Sequence, residues 1–134
     1  MLRNRLPGSL LTAGAVMLCL TPPPAVAGTD MNAPSVLALS VVDEHRGTPA
    51  RRVTLRCDPT GGNHPFAAAA CPQLAEVDGN FTRLNVGPHP QCTKEYAPRT
   101  VSASGFWRGR PVSHRAAYAN SCLALAATGS IFRF

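Results

Sequence analysis

Residues 99–118 read RTVSASGFWRGRPVSHRAAY, and this stretch decides the fold. Two runs, 99–107 and 111–118, flank Arg108-Gly109, a two-residue connection with glycine where a positive φ is allowed. The pattern predicts a β-hairpin and therefore antiparallel pairing. Working outward, residues 35–42 (SVLALSVV) form a β-branched, apolar run with partial alternation. In 52–57 (RVTLRC), Val53, Leu55 and Cys57 share one face. Both are predicted strands, separated by a polar loop over 43–51. Residues 58–63 are dense in turn formers, and 66–77 (FAAAACPQLAEV) are alanine-rich enough for a helix. Pro72 fits a first turn but breaks an interior, which puts the expected helix start near Cys71. Residues 28–34 have no apolar period and read as a loose tail, 123–127 allow one helical turn, and 130–134 read as a last strand. A majority of strands with one helix and a short second turn implies an α+β fold on an antiparallel sheet.

The whole chain has 134 residues, 45% hydrophobic and 15% charged, which suits a single globular domain. Its first residues read differently. Arg3 and Arg5 precede an apolar run over 10–20 (LLTAGAVMLCL), and Ala25-Val26-Ala27 is a small-residue cleavage site. Residues 1–27 are thus expected to be a secretory signal peptide, giving a secreted, extracellular product spanning 28–134. The apolar run is too short for a membrane span of about 20 residues. Leu18 is bulky where a lipoprotein signal takes a small residue before its cysteine, so Cys19 is not read as a lipid anchor. Losing 27 of 134 residues leaves 107, and losing two arginines lowers the net charge from +6 to +4.

The same cleavage settles an odd cysteine count. Without Cys19, four of the five remain: Cys57, Cys71, Cys92 and Cys122. In a secreted chain of this size they read as two disulfides, with three pairings open from spacing alone. No C-x-x-C occurs, and His45, His64, His89 and His114 are scattered, so neither a structural metal nor a cofactor is expected. There is no G-x-S-x-G, P-loop or G-x-G-x-x-G motif, and the seven carboxylates form no spaced pair, so the chain is not read as an enzyme. Asn80-Phe81-Thr82 matches a glycosylation sequon by pattern alone.

Residues 79–98 have neither helical nor strand period and are read as one long loop, tethered by Cys92. Within it, Pro90 and Pro98 push His89 and Ala97 towards extended backbone, and Lys94 stands in the middle. A protease binds an extended segment along its cleft, and a loop already held in that shape loses little conformational entropy on docking. A lysine at the tip suits a deep pocket with a carboxylate at its base, as in trypsin.

At this point the residues resemble a family. The elements are V-T-L-x-C at 53–57, G-x-H-P followed by A-x-x-C-x-x-L within 62–74, and C-x-x-x-Y-x-P at 92–98. G-x-W-x-G-x-x-V-S at 105–113, N-x-C at 120–122 and G-S-x-F-x-F at 129–134 complete the set. Together, in order, they are similar to the Streptomyces-type subtilisin inhibitors. The resemblance implies a subtilisin inhibitor-like domain over 28–134, with a five-stranded antiparallel sheet, two helices, and cysteines joined in sequence order. It implies a homodimer through the sheet and serine proteases as partners, both subtilisin-like and trypsin-like. It makes Lys94 the primary specificity residue and Lys94–Glu95 the reactive bond, within a loop that includes Gln91, Cys92, Thr93, Tyr96 and Ala97. Asn120 would support that loop from beneath.

Thr93 stands where the family often has proline, Ala97 replaces a common aspartate, and Pro72 falls inside the family's helix region. The basic residues suggest a second class of function, a secreted polyanion-binding module. They are spread along the chain, however, with few aromatic residues beside arginine, so no nucleic-acid partner is expected, nor a membrane after leader cleavage. Trp107, Phe106 and Tyr118 read as core or sheet packing.

Overall fold

The computed structural model describes Gly8, residues 20–25 and residues 30–134. Arg3, Arg5, Cys19 and nearly all of the leader's apolar run lie outside the described residues. The rest forms a five-stranded antiparallel sheet with strand order β3-β2-β1-β4-β5. The strands are β1 (Ser35–Asp43), β2 (Arg51–Cys57), β3 (Gly61–Gly62), β4 (Arg99–Trp107) and β5 (Arg110–Tyr118). Two helices, α1 (Ala67–Glu76) and α2 (Ser121–Thr128), pack on the sheet.

The hairpin is as read: β4 and β5 pair from Arg99 opposite Tyr118 to Trp107 opposite Arg110. Both turn residues have positive φ, 47° at Arg108 and 77° at Gly109. That is the requirement of the tight hairpin turn whose twist matches its strands, and glycine relieves it at one of the two positions. Arg108 tolerates the other under several ties: its N–H donates to Ser35 Oγ at 3.0 Å, and its guanidinium lies 5.3 Å from the Trp107 ring.

β1 is central. Leu37, Leu39 and Val41 alternate inwards, at most 2% exposed, and meet Leu55 of β2 and Val101 and Ala103 of β4 on the same face. Burying each such side chain contributes roughly 1.5–3 kcal/mol, so this face fixes the register. The opposite, open face carries Val36, Ala38 and Phe106. Of the aromatic residues read as core or sheet packing, Trp107 is buried in the core, whereas Phe106 lies on the open face of the sheet, 56% exposed. Position 79, at the end of the α1 segment, must be glycine for two reasons. Its φ is 71°, and a Cβ there would strike the Trp107 ring.

The helix starts a full turn earlier than expected, at Ala67, and Pro72 lies inside it. Four alanines, 67–70, supply the best helix former just where the proline interrupts. Ala70 and Leu74, one turn apart, are both 0% exposed, and Cys71 is bonded to Cys57 of β2. Tertiary anchoring thus outweighs the N–H that Pro72 cannot supply.

Residues 130–134 are not a strand. Ile131 and Phe132 are neighbours and both are buried, which a strand with alternating faces does not allow. The backbone instead turns, with Ile131 N–H donating to Thr128 O and Arg133 N–H to Ser130 O. The fifth strand is β3, two glycines within the segment read as a turn. His64, buried, ties this C-terminal turn to the start of α1: its Nε2 lies 2.8 Å from Ile131 O, and Nδ1 accepts from Phe66 N–H at 2.9 Å. The donor to Nδ1 fixes the tautomer, leaving the proton on Nε2. His64 is therefore a structural turn residue.

Candidate reactive loop

α2 is longer than the single turn expected, because it is capped at both ends. Asn120 takes the N-cap position with its Oδ1 accepting from Leu123 N–H at 3.0 Å, and Gly129 follows the last turn at φ 58°. This short helix, together with the residue before it, carries the long loop.

That loop contains one 3₁₀ turn, Phe81–Arg83, too short to show a helical period in the sequence. Asn80 Oδ1 accepts from both the N–H and the hydroxyl of Thr82, so the sequon residues cap this turn. Beyond it the backbone crosses the C-terminal end of α2. Val86 N–H donates to Ala127 O at 3.3 Å and Gly87 N–H to Ala126 O at 2.6 Å. These carbonyls are among the last four of the helix, which have no partner within it. The chain then reaches the other end of α2, where Cys92 is joined to Cys122, with Cα atoms 5.7 Å apart. Both disulfides therefore link cysteines in sequence order, as the resemblance implied.

Residues 91–98 have no regular secondary structure, and Gln91, Thr93, Lys94, Glu95 and Tyr96 are all exposed. Tyr96 stands 76% exposed, an aromatic side chain with no core behind it. Beneath them sits Asn120, 4% exposed. Its Nδ2 donates to Thr93 O at 3.1 Å and to Glu95 O at 2.9 Å, the two carbonyls on either side of Lys94. With the capping bond, both amide hydrogens and the oxygen of this one side chain are used, so a buried polar group is fully satisfied. Among the described residues, no hydrogen bond engages the Lys94 carbonyl. The loop leaves the site through two more backbone bonds, Ala97 N–H to Ala119 O at 2.8 Å and Glu44 N–H to Pro98 O at 3.0 Å. Ala97, where a carboxylate is common in the family, is therefore held through its backbone.

The structure ties Cys92, Thr93, Glu95 and Ala97 to the start of α2 and the two residues before it, Asn120 among them, while Gln91, Lys94 and Tyr96 stand exposed in the same loop. Sequence reasoning missed the backbone ties at Val86, Gly87, Ala97 and Pro98. Backbone groups leave no side-chain signature; only Gly87, whose backbone passes close to Ala126, hints at one. Among the described residues, no group of three His, Cys, Asp or Glu side chains converges as a metal site. No helix among them is long and apolar enough to cross a membrane.

A family model described as subtilisin inhibitor-like matches residues 33–120. A subtilase-type protease inhibitor of Streptomyces coelicolor is 41% identical over 115 residues, covering 83% of this chain and 80% of its own. A subtilisin inhibitor-like protein 4 of Streptomyces lavendulae is 42% identical over 117 residues, covering 83% of this chain and 99% of the relative. Among solved structures, Streptomyces caespitosus sermetstatin in complex with Bacillus licheniformis subtilisin superposes with a TM-score of 0.61 at 30% identity. It covers 76% of this chain and all of that one.

Proposed function

The chain belongs to the subtilisin inhibitor-like family, and from that premise we propose that it inhibits serine proteases by offering Lys94–Glu95 as a rigid, substrate-like bond. Inhibition of subtilisin-type proteases follows the family and the solved complex of its relative. Such proteins bind enzymes and are not enzymes themselves. The observation that carries the finer reading is the Asn120 clamp, two hydrogen bonds that hold the carbonyls flanking an exposed lysine.

The mechanism follows from that geometry. An extended, pre-shaped loop docks with little loss of conformational entropy, and its unengaged Lys94 carbonyl is presented to the attacking serine. Attack forms the acyl bond to Lys94 and releases the Glu95 amine. Glu95 stays in place because Asn120 holds its carbonyl and the Ala97 N–H is anchored two residues on. An amine kept within reach of the acyl carbon re-forms the peptide faster than water hydrolyses it, which is the effective-concentration argument. The Cys92–Cys122 bond keeps the preceding side of the loop on the same helix.

Lys94 would direct the loop to trypsin-like enzymes, while the extended backbone serves subtilisin-like ones. The protein acts outside the cell after removal of residues 1–27. Two copies associate through the open sheet face around Ala38, where this chain has a small side chain, giving a shallow interface. Sedimentation at micromolar concentration tests the dimer. The function is tested by titrating trypsin and subtilisin with the protein and with Lys94→Gly and Lys94→Met. Stoichiometric inhibition of both enzymes by the parent, and loss against trypsin alone in the variants, is expected. Failure of the parent against both would overturn the reading. A polyanion-binding module would show salt-dependent retention on heparin that survives both substitutions.

A further inference from the structure

Away from the exposed side of the loop, a cavity of about 360 Å³ opens between the sheet, α2 and the C-terminal turn. Its floor is apolar and buried, formed by Val41, Val101 and Phe132. Its rim holds Phe66 and Leu125, 39% and 42% exposed, two large apolar side chains left partly in water at one place. Three guanidinium groups also line it, from Arg51, Arg99 and Arg133, along with the hydroxyl residues Ser121 and Thr128 of α2 and the final residue, Phe134. Arg99 has Asp43 at 3.5 Å, a carboxylate it shares with Arg46. Among the described residues, neither Arg51 nor Arg133 makes an ion pair; Arg133 lies over the Phe66 ring, 4.7 Å from its centroid. The volume falls in the range of small-molecule sites, and the composition is that of such sites: an apolar floor with a few converging polar groups.

From this we infer that the cavity binds a small amphiphilic monoanion, a carboxylate on a medium-length alkyl chain. The chain covers Val41, Val101 and Phe132, and the head group meets Arg51 and Arg133 at the rim. The guanidinium fork pairs with a carboxylate through two parallel N–H donors, which an alcohol or ammonium head cannot accept in the same way. Two guanidinium groups without an ion pair, Arg51 and Arg133, beside a third paired to Asp43, set the sign of the ligand, and the small floor sets a single chain as its size. The occupant is a dissolved monomer, since a bilayer surface cannot enter a cavity of this size. This inference is independent of the inhibitor reading, because none of these residues is among those assigned to the reactive loop.

The test uses the full chain and three probes: decanoate and decyltrimethylammonium below their micelle concentrations, and decanol below its solubility limit. Binding is followed by calorimetry and by amide chemical shifts. Saturable one-to-one binding of decanoate, with shifts centred on Val101, Leu125 and Phe132, is expected, with decanol weaker and the cation silent. Arg51→Gln and Arg133→Gln each weaken decanoate binding by roughly tenfold, the loss of one charge-assisted pair. Both side chains are exposed, so the variants keep the fold, which unchanged urea unfolding verifies separately. Absence of saturable decanoate binding, equal binding of all three probes, or shifts elsewhere would overturn the assignment.

Discussion

Replacing Asn120 with aspartate separates the two tasks of that side chain. The carboxylate retains an oxygen for Leu123 N–H, and aspartate is as good an N-cap as asparagine, favoured further by the helix dipole. The donors to Thr93 O and Glu95 O, at 3.1 and 2.9 Å, are lost, and an acceptor now faces two carbonyls. At about 0.5–1.5 kcal/mol for each bond, the loop loses about 1–3 kcal/mol of restraint, a factor of roughly 5–150 in equilibrium. That factor appears in the ratio of nicked to intact inhibitor after prolonged incubation with a trace of subtilisin, read by mass spectrometry at the Lys94–Glu95 bond. Asn120→Ala gives the same rise in nicking and a further loss of about 1 kcal/mol in denaturant stability, because it also removes the cap. Nicking ratios like the parent's in both variants would show that the clamp does not preserve the bond.

Other expectations concern the scaffold. Pro72→Ala restores an interior N–H in α1 and relieves the ring against the preceding turn, raising stability by about 1–3 kcal/mol in urea unfolding; a decrease would mean the proline is supporting its surroundings. Gly79→Ala forces a Cβ into the Trp107 ring at positive φ and should cost at least about 2 kcal/mol, with reduced tryptophan shielding by fluorescence quenching. Burial pushes the His114 pKa below its ordinary 6.5, so the folded state favours the neutral ring. Stability from this source is full above pH 6.5 and falls as the pH drops towards the folded-state pKa, a decline that His114→Gln removes from a series of thermal melts. Asp78 is held below its ordinary 3.8 by the Trp107 N–H and then by Arg110, so its contribution is present above 3.8 and lost only as the pH falls through the folded value.

How much of this was legible in the chain depended on whether a signal was local. The hairpin at 99–118 and the strands at 35–42 and 52–57 match the structure within a residue or so, because alternation and the Arg108-Gly109 turn act between neighbours. The start of α1 was misplaced because a proline is read locally, whereas the restraints that override it, a disulfide to β2 and the burial of Ala70 and Leu74, come from the far side of the fold. α2 was read short although its signals were present: Asn120 three residues before Leu123, and Gly129 at the end. The last residues were read as a strand on composition, but consecutive burial of Ile131 and Phe132 is a tertiary fact. In the loop, Lys94 and Cys92 were visible as residues. The convergence of Asn120 on two carbonyls needed coordinates.

The placement of α2 also sets an order of events in the life of the chain. Residues 91–97 are synthesised before the groups that hold them, since Ala119, Asn120 and Cys122 all follow; only Glu44, which donates to Pro98 O, comes earlier. Until that segment has emerged and its cysteine has been oxidised, Lys94–Glu95 is an ordinary bond in a slack stretch of polypeptide. A nascent chain, or one truncated before Ala119, is thus food for the enzymes that the finished protein would block. On the proposed mechanism, only a completed and oxidised molecule carries the defence.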